Sequence, residues 1–367
     1  MSAGVRALTR RVLNRTLLER QLLTRRVSRT PREAIEHLVA MQAQVPNGPY
    51  VGLWARLENF RRDDLTSLLE GRDVVHATML RGTQHLARGE DFGWLRATVA
   101  TLVRSALAEP YYAAQIEGID PDELGSAGRG MLTGRTLQRR ELGDLLVHRF
   151  PGRSPGRLAE AFELLEALVH PPPHPIWGGW GHRRGTPVAL ADEWLSRPIA
   201  DASQPETMVL RYLAAFGPAS VMDVQAWSGM TRLGEIVEGL RPRLRVFRDE
   251  QGAELFDLPD APLGEPDAPA PVRFLPAFDN AVLGHRDRTR VISEENRRRI
   301  APRASAGVPL FLVDGFVEGS WSLTRDQLRM APFRPLTDAE TAAVRDEATH
   351  LARFVAPDGT EPAIIMT

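Results

Sequence analysis

Cysteine is missing from all 367 residues, and so is lysine. Without thiols the chain has no disulfide, no thiolate nucleophile and no metal site that depends on sulfur. Without lysine all 46 basic side chains are arginine, so no side-chain amine can form a Schiff base and only the terminal amine is left for that chemistry. Long apolar runs are scarce too. The stretch Val308-Pro309-Leu310-Phe311-Leu312-Val313 falls well short of the roughly 20 residues a membrane-spanning helix needs. Arginines interrupt the N-terminus where a signal peptide would be continuously apolar. These absences point to a cytoplasmic chain with no membrane partner. Its apolar and charged fractions, 43% and 25%, are those of a folded globular protein, and its length exceeds one hydrophobic core and favours two or three domains.

The formal net charge is only −1, yet it is unevenly spread. Residues 1–30 hold eight arginines against the single acid Glu19, and Arg286 to Arg303 forms a second basic cluster. Charge runs of this kind are as often solvated helix faces as binding surfaces. Arginine-only clusters also suit phosphate, because the guanidinium fork binds it with two parallel hydrogen bonds.

Residues 206–258 are the most readable stretch. Glu206 to Leu213 has apolar residues at helical spacing and ends at Gly217-Pro218, and Ser220 caps a second helix through Trp227. Ser228-Gly229 forms a turn, and Thr231 caps a third helix to about Leu240. Leu244 to Arg248 and Ala253 to Leu258 read as strands around Asp249-Glu250-Gln251-Gly252. Three helices followed by a hairpin spell a winged helix. A similar order opens with a Thr136-capped helix, continues with a helix from Ser154 to Val169, and closes on a strand-turn-strand between Trp177 and Leu190. Nearer the N-terminus, helices are expected at Arg15 to Leu23, Pro31 to Ala40 and Leu65 to Glu70, followed by a strand pair at Val75 to Leu80 and Gln84 to Ala87. The fold class expected is therefore α+β, with three tandem winged-helix units at 1–125, 126–200 and 201–260 and a β-rich region at 261–367. In that last region Pro259 to Pro271 is an acidic, exposed loop, and Asp314-Gly315 is a hairpin turn.

Gln42 and Gln44 stand two residues apart, which puts them on one face of an extended segment but about 200° apart on a helix. Pro46 disfavours helix at Val45, and Asn47-Gly48-Pro49 breaks the chain, so the preceding helix is expected to end near Met41. Both carboxamides can then enter one space. A glutamine does not titrate, but its carbonyl can hold a water and its NH2 a leaving-group oxygen. Such a site suffices where the leaving group is already cationic. Taken alone, two glutamines after a helix are more often a polar loop.

Met41-Gln42-Ala43-Gln44-Val45-Pro46 resembles the glutamine-any-glutamine motif of bacterial winged-helix DNA glycosylases, the AlkZ-like group. The stretches Leu13 to Leu23, Leu80 to Leu86, Leu275 to Asn280 and Leu283 to Arg288 are similar to signatures of the same family, so the likeness runs from near the start to about Trp321. The resemblance implies three winged helices in a concave DNA-binding shape and cofactor-free hydrolysis of N7-alkylguanine. It also implies unhooking of interstrand cross-links, of which azinomycin-type adducts are an example, and self-resistance. It maps catalysis onto Gln42 and Gln44 with double-stranded DNA as partner, and three units in one chain make a monomer the expectation. A sister branch carries aspartate at the second position, where this chain has Gln44.

Asp279 is the carboxylate rival for a catalytic role, with Asn280 and His285 as candidates to orient the pocket or hold DNA. Arg286, Arg288, Asn14, Arg15 and Arg81 are candidate DNA contacts, and the Asp314-Gly315 hairpin a groove-contacting element. His170, His174 and His182 suggest a metal, but Pro171-Pro172-Pro173 forbids a helical pair and no acid is near in sequence, so no metal is expected. Gly178-Gly179-Trp180-Gly181 lacks the lysine of a phosphate loop and reads as a wing turn. A transcription regulator without catalysis is the rival function, disfavoured because regulators of this type use one winged helix per subunit in a dimer. A protein-binding module that has lost catalysis is a third reading.

Overall fold

A computed structural model describes residues 6–178, 185–200, 202–324, 326–356 and 361–367. Among them the architecture is α+β, with helices arranged around four small sheets.

In the segment from 205, helices Pro205–Phe216, Val221–Ser228 and Gly234–Leu240 precede strands Arg245–Asp249 and Glu254–Asp257. Ser220 caps the second helix reciprocally: its hydroxyl accepts from the Asp223 N–H at 3.2 Å while the Asp223 carboxylate accepts from the Ser220 N–H at 2.8 Å. The third helix begins later than the cap at Thr231 would place it. Gln225 Oε1 accepts from the Leu233 N–H at 3.0 Å and Arg232 adopts a φ of 60°, which holds the chain out of helix until Gly234. Strand Ala7–Leu8 adds in parallel beside Arg248 and Asp249, and helix Arg10–Arg20 packs on Pro205–Phe216. Arg20 grips buried Asp257 with two bonds of 2.7 and 2.8 Å. The N-terminal elements thus join this body rather than the one that follows them in sequence.

Helix Pro31–His37 starts at a Thr30–Glu33 capping box and stops short of Ala40, because Val39 turns left-handed at φ 69°. The chain then runs extended through Met41–Gln42, which pairs antiparallel with Gln84–Arg88, itself paired with Val74–Thr78. Asn47-Gly48-Pro49 does not break the chain. It opens helix Gly48–Trp54, whose proline occupies the first turn, where a missing N–H has no cost. Helix Arg62–Glu70 follows.

The middle segment departs most from expectation. Thr136 precedes a short strand, Leu137–Gln138, and helix Arg139–Arg149 takes its capping box from Gln138 and Glu141. Helix Pro155–Leu165 ends before Leu168–Val169, which is a strand. That strand and Leu137–Gln138 both pair with Pro187–Leu190. Trp177 and Gly178 are not in a strand, and the rest of the expected wing turn, 179–184, lies outside the described residues.

The C-terminal sheet has the order Arg273–Leu275, Leu310–Val313, Phe316–Leu323, Gln327–Pro332, Ala363–Met366, with helix Asp338–Val355 against it. Asp314 and Gly315 join its second and third strands with φ of 48° and 81°, the left-handed pair that a tight hairpin turn requires. The Pro259 to Pro271 loop is only partly exposed. It lies along the N-terminal helix, with Gly264 against Arg15 and the Pro266 and Ala268 carbonyls accepting from Arg11 and Arg15.

Candidate active site

Strand alternation settles how the two glutamines face. Met41 and Ala43 point into the core, whereas Gln42 is half-buried and Gln44 exposed on the other side. The Ala43 N–H donates to the Gln84 carbonyl at 2.8 Å, so the extended geometry continues past Gln42.

Gln42 Oε1 accepts from Arg81 Nη2 at 2.6 Å. Arginine has only donors, so the amide oxygen must face it and the NH2 must face away, toward the open side. Arg81 sits in the turn Leu80–Gly82 at φ 54°, and its fork also reaches Asn280 Oδ1 at 3.2 Å and the Trp227 carbonyl. Asn280 in turn donates to the Ala40 carbonyl at 3.1 Å. Three chain segments far apart in sequence therefore meet on one guanidinium. Gly229 permits the approach: it has φ 82°, and a Cβ there would lie 2.8 Å from Arg81 Cα. Trp227 is fixed by its neighbours, with its ring 5.0 Å from that of Tyr212 and 5.8 Å from that of Phe216.

Burial, then the charge of Arg288, pushes Arg81 down to about 10, which leaves it a cation at neutral pH. His85 beside it is pushed down to about 3 by burial and then by Arg81, so it is neutral. Its Nδ1–H donates to the Thr83 carbonyl at 2.9 Å, which turns the Nε2 lone pair toward Arg81 at 3.4 Å. Gln44 Oε1 accepts from the Gln84 N–H at 3.3 Å. Both carboxamides thus have their oxygens held by the same hairpin.

Behind Gln42 is a cavity of about 20 Å³ lined by Gln21, Met41, Gln42, Arg56, Asp279 and Asn280 among others. A space of this size holds about one water. Asp279 is locked beside it: Arg56 donates to its two oxygens at 2.8 and 2.9 Å, and the carboxylate also caps helix Asn280–Leu283 through the Ala281 N–H. Both partners of this ion pair are buried, so the Asp279 carboxylate is held in place from two sides. Nothing in the sequence pointed to Arg56, whose partner stands 223 residues away.

Several expected DNA contacts are corrected by burial. Asn14 and Arg15 are 0% and 1% exposed and hold the hairpin tip instead: Asn14 Nδ2 donates to the Arg290 and Gly315 carbonyls, and Arg15 to the Asp314 carbonyl at 2.9 Å and its carboxylate. The Asp314-Gly315 turn is therefore pinned to the N-terminal helix rather than projecting to reach a groove. His285 is a core residue, bonded to the Phe216 carbonyl at 3.1 Å; burial, then Arg290, pushes it well below the usual histidine range. Arg286 is exposed and Arg288 half-buried, and among the described residues neither forms an ion pair. Burial, then Arg297 and Arg286, lowers Arg288, whose own charge lowers Arg81, so guanidiniums gather at this corner.

The polyproline run does not keep the histidines apart. A ring nitrogen from each of His76, His170 and His174 lies within 4.8 Å of those of the other two, all buried, while His182 lies outside the described residues. An acid is close in space: Glu163 accepts from His170 Nε2 at 2.9 Å.

The match to known proteins covers most of the chain. Residues 35–354 match the family described as DNA glycosylase AlkZ-like. An interstrand DNA cross-link repair glycosylase of Streptomyces sahachiroi is 25% identical, with 92% of this chain and 94% of that protein aligned. The solved structure of the Streptomyces sahachiroi DNA glycosylase AlkZ superposes with a TM-score of 0.79 at 22% identity, covering 98% of this chain and all of that one, and so shares its fold. Among the described residues no helix is long and apolar enough to cross a membrane. The chain belongs to the AlkZ-like DNA glycosylase family.

Proposed function

We propose that this protein is a monofunctional glycosylase that hydrolyses the N-glycosidic bond of N7-alkylguanine in double-stranded DNA and unhooks interstrand cross-links, azinomycin-type adducts among them. The observation that carries this reading is Gln42, a group that cannot titrate, fixed by Arg81 beside a cavity sized for one water. Such a site has little acid-base power, and N7-alkylguanine needs little. Its ring is cationic, so as the C1′–N9 bond breaks the bonding pair neutralises the base. Water adds at C1′ and releases its proton to solvent. Gln42 and Gln44, oxygens anchored, present NH2 groups that orient the base and the sugar. The relative's name, a cross-link repair glycosylase, supports the substrate class.

The absence of lysine supports an intact strand, since backbone cleavage by a glycosylase proceeds through an amine-derived Schiff base. Arg286 and Arg288 hold phosphate next to the glutamines. The repeated helices and hairpins read as winged-helix units, 1–125, 126–200 and 201–260, with residues 7–20 shared with the third unit. With the β-rich 261–367 they form a concave surface that works as a monomer and as a self-resistance or repair factor.

Duplex DNA carrying N7-methylguanine, incubated with the protein and then treated with mild base, tests the proposal. Base-labile strand breaks are expected, with none before the base step. Wild-type protein that yields no breaks, or Gln42→Ala with Gln44→Ala that yields undiminished breaks, would overturn it.

A further inference from the structure

The three histidines behind the glutamine strand are arranged by elements remote in sequence. His76 comes from strand Val74–Thr78, and His170 and His174 follow strand Leu168–Val169, with the His170 N–H donating to the His76 carbonyl at 2.8 Å. Their ring centroids are 5.2, 5.3 and 5.6 Å apart.

His76 and His174 each have an oxygen against one ring nitrogen, and His170 has one against both, the second being Gln84 Oε1. His76 Nε2 meets the Ala43 carbonyl at 3.1 Å, His170 Nε2 the Glu163 carboxylate at 2.9 Å, and His174 Nδ1 the Gly185 carbonyl at 3.2 Å. Oxygens of this kind only accept, so those nitrogens carry protons, and a metal would be met by the opposite nitrogen of each ring. Histidines that bind metal show this pattern, with the far N–H given to a carbonyl or carboxylate that fixes the tautomer. Arg139 is close to His170, but its charge is balanced by Glu163 at 2.7 Å.

We propose that His76, His170 and His174 form a binding site for a divalent transition metal of the zinc class, with water as fourth ligand. Zn–N bonds of about 2.0–2.1 Å put tetrahedral nitrogens roughly 3.3 Å apart, so rings whose nitrogens lie within 4.8 Å need to close by less than about 1 Å each. The Gln84 amide, 3.0 Å from His170 Nδ1, gives way to the ion by side-chain rotation. The metal ties the glutamine-bearing sheet to the middle segment and, through His76 and the Ala43 carbonyl, holds the residue between Gln42 and Gln44 from behind. It takes no part in bond cleavage, and the site stands independently of the reaction proposed above.

The test is metal content and binding by the full chain. Protein stripped with a chelator and dialysed is titrated with Co2+ and Zn2+ while visible absorption and Tm are followed. The expected result is stoichiometric uptake, tetrahedral cobalt bands that Zn2+ abolishes, and a Tm rise of about 3 °C at a hundredfold excess over Kd. His174→Ala is expected to lose the bands, and His148→Ala, at an exposed histidine of helix Arg139–Arg149, to keep them. Wild-type protein without stoichiometric uptake, an unchanged spectrum in folded His174→Ala, or loss of the spectrum in His148→Ala would each overturn the proposal. Should His174→Ala fail to fold, the wild-type titration decides.

Discussion

Arg81→Met removes a guanidinium while keeping most of its aliphatic volume, and it tests whether Gln42 works because it is held. Three acceptors lose a donor: Gln42 Oε1, Asn280 Oδ1 and the Trp227 carbonyl. A buried acceptor left unpaired costs about 1–3 kcal/mol, and Gln42, being half-buried, recovers part of its loss from solvent, so a stability decrease of about 2–4 kcal/mol is expected. The kinetic effect has a separate origin. Freed from Arg81, the Gln42 amide rotates, and its NH2 no longer points one way. Complete removal of a preorganised donor costs on the order of 10²- to 10³-fold in rate. A misdirected donor is expected to cost about 10- to 100-fold, or roughly 1.4–2.7 kcal/mol. Single-turnover cleavage of N7-methylguanine DNA, with enzyme in excess and well below the variant's Tm, isolates that step. The decisive measurement is a double-mutant cycle. In a Gln42→Ala background, Arg81→Met should change the rate by less than about threefold. Equal losses in both backgrounds would show that Arg81 acts by its own contact with DNA and would refute the positioning argument.

Asp279→Asn breaks the buried pair with Arg56 and is expected to lower stability by about 3–5 kcal/mol, while the single-turnover rate of the folded fraction stays within about tenfold; a far larger rate loss in fully folded protein would make Asp279 a participant in the chemistry. His85 sits at about 3 when folded and at the usual value of about 6.5 when unfolded, so between those values the unfolded state binds the extra proton. Stability should therefore fall with pH, by about 2 kcal/mol between pH 7 and 5 from this residue alone; urea titrations of His85→Asn should show a correspondingly shallower dependence, and an identical one would contradict the assignment. Arg286→Ala combined with Arg288→Ala should reduce the slope of log Kd against log salt by about 2, whereas Arg15→Ala should leave the slope alone and cost about 3 kcal/mol of stability.

Local signals carried much of the fold. Ser220 caps a helix where its sequence context says, and Asp314-Gly315 turns a hairpin for the reason its residues suggest. Signals failed where a contact from elsewhere outweighed them. Thr231 is a good cap residue, but the Gln225 side chain takes the Leu233 N–H and moves the helix start. Asn47-Gly48-Pro49 looks like a break and becomes a first turn because proline is tolerated there. At the site, Pro46 and strand periodicity made the extended geometry of Gln42-Ala43-Gln44 readable. Arg56, and the histidines that converge behind Ala43, are defined only by long-range packing that no spacing rule encodes.

Arginine explains both the success and the failure of reading charge from this sequence. With no lysine, every cationic task falls to one side chain, and two tasks compete for it. The guanidinium is planar, weakly hydrated and has five donors, so it can be buried where an ammonium could not. Arg15, Arg20, Arg56, Arg81 and Arg273 bind carbonyls and carboxylates across distant segments, and in the dense N-terminal run Arg11 and Arg26 do the same. A basic stretch is then no guide to a binding face unless its anions are counted in space. The cluster from Arg286 passes that count in part, because Arg297 and Arg299 pair with Glu294 and Glu295 while Arg286 and Arg288 do not pair among the described residues. Two guanidiniums without an ion pair among the described residues, Arg286 and Arg288, therefore stand near Arg81, which is where the reaction proposed for the glutamine strand would need the DNA backbone to arrive.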